Sequence, residues 1–163
     1  MQIIATLVDQ FAKSGKVEWI GVRPARKHPL VSLPRAKINL TGIEGDHRTK
    51  PGKRTVTLIQ AEHLSVIASL CADETSPIDP ARLRRNIVVS GISLMGLRNR
   101  EFRIGNVLLR GAGLCAPCSR METELGYGGY NAMRGHGGIC AEVLEDGEIE
   151  LHQSVHLNNT SQD

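Results

Sequence analysis

A mainly β, antiparallel and barrel-like single domain with short helices (α+β) is the fold that this 163-residue sequence predicts. Segments of strand character follow one another with few helical stretches between them. That pattern disfavours a doubly wound parallel sheet and favours a closed antiparallel one with peripheral helices. No internal repeat or low-complexity linker divides the chain, so residues 1–163 read as one domain, long enough to hold its own core. A hydrophobic content of 40% with 23% charged residues belongs to an ordinary soluble globular chain.

Residues 17–23 form a first strand that Pro24 ends. A second, 31–40, is confined to an edge or broken by Pro34, because proline has no N–H for the ladder. The stretch 41–53, TGIEGDHRTKPGK, reads as a Gly-rich charged loop. Residues 55–60 are alternating and β-branched, a strand, and 61–71 place Leu64, Ile67, Ala68 and Cys71 on one helical face. After a turn-rich connection over 72–80, Asp79-Pro80 starts a short helical turn through Leu83. Strand 86–90 follows, then strands 102–104 and 107–110 joined through the tight-turn dipeptide Gly105-Asn106. Residues 119–125 form a short helix behind Pro117, whereas the glycine-laden stretch 127–138 gives no assignment. A final hairpin is predicted from 139–144 and 148–155, turning at 145–147, and the polar tail 156–163 is predicted to fray.

Several function classes are disfavoured at once. Aromatic residues make up 3% of the chain, too few for a platform that stacks nucleic-acid bases, so no nucleic-acid partner is expected. The net charge of +3 is mild and attracts anionic ligands only weakly. No apolar run is long enough to span a bilayer and no signal peptide is visible. The four cysteines do not make the framework of a small secreted domain, which leaves a reduced, cytoplasmic protein as the expectation.

Cys118 is the most informative residue. It closes the run Cys115-Ala-Pro-Cys118 at the predicted start of a helix, where backbone N–H groups favour a thiolate. A thiolate there can ligate a soft metal, carry a persulfide or attack an electrophile. The pair also admits plain burial, a disulfide oxidoreductase, or zinc held by Cys115, Cys118, His136 and Cys140. Around it are candidate anion binders. The loop 42–54 carries Asp46, His47 and Arg54 among its glycines, which let backbone N–H groups approach a phosphate. Arg85 precedes a strand with Asn86 beside it, so that its planar fork is aimed at a phosphate or carboxylate. Arg134 and His136 stand on a Gly-rich rim before the last strands.

These motifs, taken in order, resemble a known family. GIEGD with His47, then Arg54 before a strand ending in QAEHL, then RRNIVVSGI, FRIGNVLL, CAPC and RGHGGICAEVLEDGEI, are similar to the MOSC domain. That domain is named for the C-terminal part of molybdenum cofactor sulfurases. The resemblance covers residues 42–155. It implies a barrel-like fold, binding of the molybdenum cofactor, and either sulfur transfer to that cofactor or cofactor-dependent reduction of N-hydroxylated compounds. By motif, Cys118 matches the family's hallmark cysteine, a metal ligand or sulfur carrier. Arg54, Arg85, Asn86, Asp46, His47, Cys115, Arg134 and His136 are the expected cofactor-binding positions. The resemblance further implies a separate cysteine desulfurase or redox partner. No pyridoxal-phosphate domain is recognisable, so that cofactor is not expected on this chain. Against this stand a non-catalytic cofactor-binding or interaction scaffold and a structural zinc protein.

Overall fold

In the computed structural model, which describes residues 3–72 and 74–159, the chain begins with α1 (Ile4–Leu7), β1 (Gly15–Val22), β2 (Val31–Ser32), β3 (Arg35–Asn39) and β4 (Gly42–Ile43). Next come β5 (Val56–Gln60), α2 (His63–Ser69), a 3-10 turn (Pro80–Leu83), β6 (Ile87–Ser90) and a second 3-10 turn (Met95–Leu97). The remainder is β7 (Glu101–Ile104), β8 (Val107–Leu114), α3 (Ser119–Leu125), α4 (Gly129–Met133), β9 (Ile139–Glu145), β10 (Gly147–Glu150) and β11 (Ser154–Leu157).

Seven strands close into a barrel in the order β11-β7-β8-β9-β5-β6-β1, with β11 returning to β1 through Gly15↔Val155. Every pairing around it is antiparallel except β5–β6, which α2 connects as a crossover. Alternation decides the two faces. Val56 and Leu58, Ile87 and Val89, and Ile139 and Ala141 point inward and fill the barrel with Phe102, Ile104 and Leu109. Ile59 and Val88 point outward into a second apolar cluster, roofed by Leu64 and Ile67 of α2, Met121 and Leu125 of α3, and Met133 of α4. Cys71 is buried at the end of α2, and burial pushes its thiol pKa up.

The sequence expectations meet the structure unevenly. Pro34 breaks the predicted strand 31–40 into β2 and β3. The loop 41–53 contains the short strand β4, and the unassigned stretch 127–138 contains α4. Strand β8 runs four residues beyond its predicted end at Arg110, to Leu114. The predicted final hairpin does not form. Only Asp146 separates β9 from β10, too short for even a two-residue loop, so the chain leaves the barrel and β10 pairs with β3 in a three-stranded sheet. Ile149, fully buried, anchors that sheet to the barrel core. The expected fraying from residue 156 also fails. His156 and Leu157 pair with Arg103 and Phe102, and the Asn158 N–H donates to the Glu101 carbonyl, because β11 is the strand that closes the barrel. The rest of that predicted tail, residues 160–163, lies outside the described residues.

Candidate functional site

Two residues back from Ile59 and Val88, the same outer face of β5 and β6 turns polar. Thr57 and Asn86 replace the apolar pair, and Cys140 of β9 stands opposite Thr57. Asn86 is buried and holds four segments together. Its Oδ1 accepts from the Thr57 N–H at 3.2 Å and the Thr57 hydroxyl at 3.1 Å. Its Nδ2 donates to the Gly21 carbonyl at 3.1 Å and to Asp46 Oδ2 at 3.0 Å. Asp46 is thereby drawn in from the Gly-rich loop, and it also accepts from the N–H groups of Arg23 (3.1 Å) and Arg48 (2.9 Å). Burial alone would raise its pKa. The two N–H groups, the Arg23 guanidinium and the Asn86 amide outweigh burial and hold it below the usual carboxylate value.

Arg85 is buried and donates to backbone carbonyls: Nε to Gly137 at 2.8 Å, Nη1 to Leu83 at 2.9 Å, and Nη2 to Cys115 at 3.0 Å. It makes no ion pair with any described carboxylate. Its charge therefore stays available to the neighbouring sulfur while its hydrogen atoms pin the cysteine loop against the 135–138 rim. Gly137 permits that approach, since a Cβ there would come 2.2 Å from the Cys115 carbonyl oxygen. At Gly138, φ is +82° and a Cβ would come 1.8 Å from the Leu58 carbonyl oxygen, so only glycine fits.

Inside this frame the cysteines differ. Cys115 is half-buried, its N–H donating to the Gly138 carbonyl at 2.9 Å. A hydrogen bond from the Cys140 thiol, helped by the charges of Arg85, Arg54 and Arg23, outweighs burial and lowers its pKa to about 6. Cys140 is pushed the other way by that same bond and by burial. Within the pair, ionisation is therefore favoured at Cys115 over Cys140. Cys118, at the start of α3, is exposed.

Beside the residues the sequence singled out, Arg84 lies near enough to Cys118 for their charges to interact. Arg84 adopts a left-handed conformation with φ +59° at the end of the first 3-10 turn. Its Nη1 donates to the His28 carbonyl at 3.3 Å, while the neighbouring Arg85 turns in toward Gly137. Burial lowers the Arg84 pKa, and so do the charges of Arg120 and Arg23, while Cys118 and Asp46 act in the opposite sense. Those groups therefore share one neighbourhood. Arg23 Nε is buried there with no hydrogen-bond partner, 3.5 Å from Asp46 Oδ2. Arg54 is exposed, and its charge acts on Cys115 and Cys140. His47 lies at the edge, Nδ1 at 3.3 Å from the Arg23 carbonyl and 3.5 Å from Asp46. Arg134 bonds only within its own turn, to Asn131 Oδ1 at 3.3 Å. His136 turns to Ala132 and the ring of His63. Among the described residues no group of three or more His, Cys, Asp or Glu side chains could hold a metal, so Cys115, Cys118, His136 and Cys140 do not form a zinc site.

Sequence reasoning passed over Arg23, Arg120 and Thr57, and of the run Arg84-Arg85 it chose the second. The left-handed backbone that divides these two arginines has no signature in the sequence. Thr57 was legible as the outward, polar position of an alternating strand.

A β-barrel that gathers cysteines and arginines beside one polar seam defines a class of small, thiol-bearing barrel domains. The family follows from comparison: the MOSC domain matches residues 42–156, and the chain belongs to that family. No curated protein matches it. The fold is similar to that of the YuaD protein from Bacillus subtilis, at 18% identity, TM-score 0.75, over 88% of this chain and 94% of that one. It is also similar to YiiM from Escherichia coli, at 16% identity and TM-score 0.72, over 93% of this chain and 72% of that one. YiiM from Geobacillus stearothermophilus follows at 15% identity and TM-score 0.67, over 88% and 74%. No described helix is long and apolar enough to cross a membrane.

Proposed function

We propose that this MOSC protein binds the molybdenum cofactor, with Cys118 turned toward the metal and Arg23, Arg84 and Arg120 toward the anionic parts of the pterin. The observation that carries the reading is the charge balance beside Cys118: Arg23, Arg84 and Arg120 share one neighbourhood with a single carboxylate, Asp46, which lies 3.5 Å from the Arg23 Nε. Three guanidinium groups with one carboxylate between them leave positive charge that fits an anionic ligand. The donor set agrees, since a soft thiolate suits molybdenum. When bound, the cofactor supplies two-electron redox chemistry or accepts sulfur. The chain contributes position. Arg85 and Asn86 hold the cysteine loop and the Asp46 loop in register, and Arg54 adds charge near the sulfurs.

Two activities are compatible with this arrangement: reduction of N-hydroxylated compounds, with electrons from a separate redox partner, and sulfur transfer, with sulfur from a separate cysteine desulfurase. The second is favoured by Cys115, a half-buried thiolate that gives the site another nucleophilic sulfur. Protein produced in a cofactor-competent host is expected to carry stoichiometric pterin and molybdenum, and Cys118→Ser to retain pterin but lose metal. A wild-type preparation with neither, and with no affinity for added cofactor, overturns the proposal. Pterin and metal contents that Cys118→Ser leaves unchanged would favour a scaffold instead.

A further inference from the structure

The 135–138 rim has two sides. Gly137 touches Cys115 and Arg85, whereas Gly135 and Gly138 line a cavity of about 550 Å³ in which no cysteine takes part. That volume suits a small organic ligand. Ile92, Leu94 and Ile139 give the cavity its apolar lining. Gln60 and Glu62 build its frame. The Gln60 Oε1 accepts from the Leu94 N–H at 3.0 Å and its Nε2 donates to the Ile92 carbonyl at 3.0 Å. The carboxylate of Glu62 takes the Gly91 N–H at 2.7 Å and the Gln60 amide at 2.9 Å.

Two polar groups of the lining remain uncommitted among the described residues. Lys13 makes no hydrogen bond or ion pair, and its stem lies across Gly91, where a Cβ would come 3.6 Å from the Lys13 Cε. His63 has no hydrogen-bond partner either. Its ring meets His136 edge-on with centroids 5.2 Å apart, and burial, then the His136 charge, lower its pKa. An apolar chamber with one free ammonium and one free imidazole selects for an apolar body bearing a single negative charge. The Glu62 carboxylate is itself held by the Gly91 N–H and the Gln60 amide, so Lys13 can balance one ligand charge, whereas a second would meet Glu62 unbalanced.

We propose that this cavity binds a small organic monocarboxylate, with its carboxylate on Lys13, its apolar body on Ile92, Leu94 and Ile139, and a hydrogen bond to the imidazole of His63. The site stands apart from the cofactor reading and holds whether or not molybdenum binds. The test uses 2-naphthoate and its neutral counterpart 2-naphthamide, titrated into the full chain and followed by amide NMR. Naphthoate is expected to shift the resonances of residues 91–95 and 135–139 saturably, and to bind about tenfold more tightly than the amide. Lys13→Met, an exposed and unpartnered position, is expected to erase that tenfold preference while leaving naphthamide binding in place. Shifts centred on residues 118–120, equal affinities for the two probes, an unchanged preference in Lys13→Met, or no saturation by about 10 mM would each overturn the assignment.

Discussion

The outer face of β5, β6 and β9 carries two surfaces a few ångströms apart. At Ile59 and Val88 it is apolar and roofed by α2, α3 and α4. At Thr57, Asn86 and Cys140, on the same strands and the same side, it is polar and covered by loops. Helices cover the first because dispersion and desolvation need no particular partner. The second must satisfy each donor individually, which Asn86, Asp46 and Arg85 do through carbonyls, amides and one carboxylate. The difference teaches where this barrel can host chemistry: the surface built on directed bonds holds a buried guanidinium beside the sulfurs of Cys115 and Cys140.

Substitutions on the two surfaces separate their roles. Arg85→Ala removes a buried cation that bonds four carbonyls and is expected to cost about 3–5 kcal/mol in urea unfolding. It is also expected to raise the pH at which Cys115 is alkylated. Ile67→Ala, in the roofed cluster, is expected to cost about 2–4 kcal/mol and to leave Cys115 alkylation where it was. If both variants moved the thiol alike, the two surfaces would be one. Cys140→Ala removes the donor that holds Cys115 as a thiolate, so half-maximal alkylation of Cys115, read by mass spectrometry, is expected to climb from about 6 toward the ordinary thiol value with little loss of stability.

The smallest effect is on acid stability. Asp46 is depressed in the folded state, so its contribution is complete above the unfolded carboxylate pKa of about 3.9 and is lost as pH falls through the lower native value. Wild-type stability is therefore expected to fall more steeply below about pH 4 than that of Asp46→Asn, measured as urea midpoints across that range. Parallel acid limbs would mean that Asp46 titrates alike folded and unfolded.

Strand patterning was legible wherever alternation and turn residues agree, as at β5 and at the Gly105-Asn106 turn. It misled where the partner lies far off in the chain. Nothing local to β10 says that it pairs with β3, and the sequence reads 145–147 as a turn where the structure has only Asp146 between two strands. The site was legible in composition and only partly in roles. Arg85 reads in sequence as an anion clamp, yet its hydrogen atoms go to Gly137, Leu83 and Cys115. That choice depends on the bare α-carbon of Gly137, fifty-two positions further along.

The lone tryptophan stands on the border between the two surfaces. The ring of Trp19 packs against the roofed cluster and also lies across Gly21, where a Cβ would come 2.0 Å from the indole. The carbonyl of Gly21 is itself held by the Asn86 amide. Nature has thus installed a single fluorophore at the boundary. Its emission is expected to report, without any label, on both the helical roof and the polar seam.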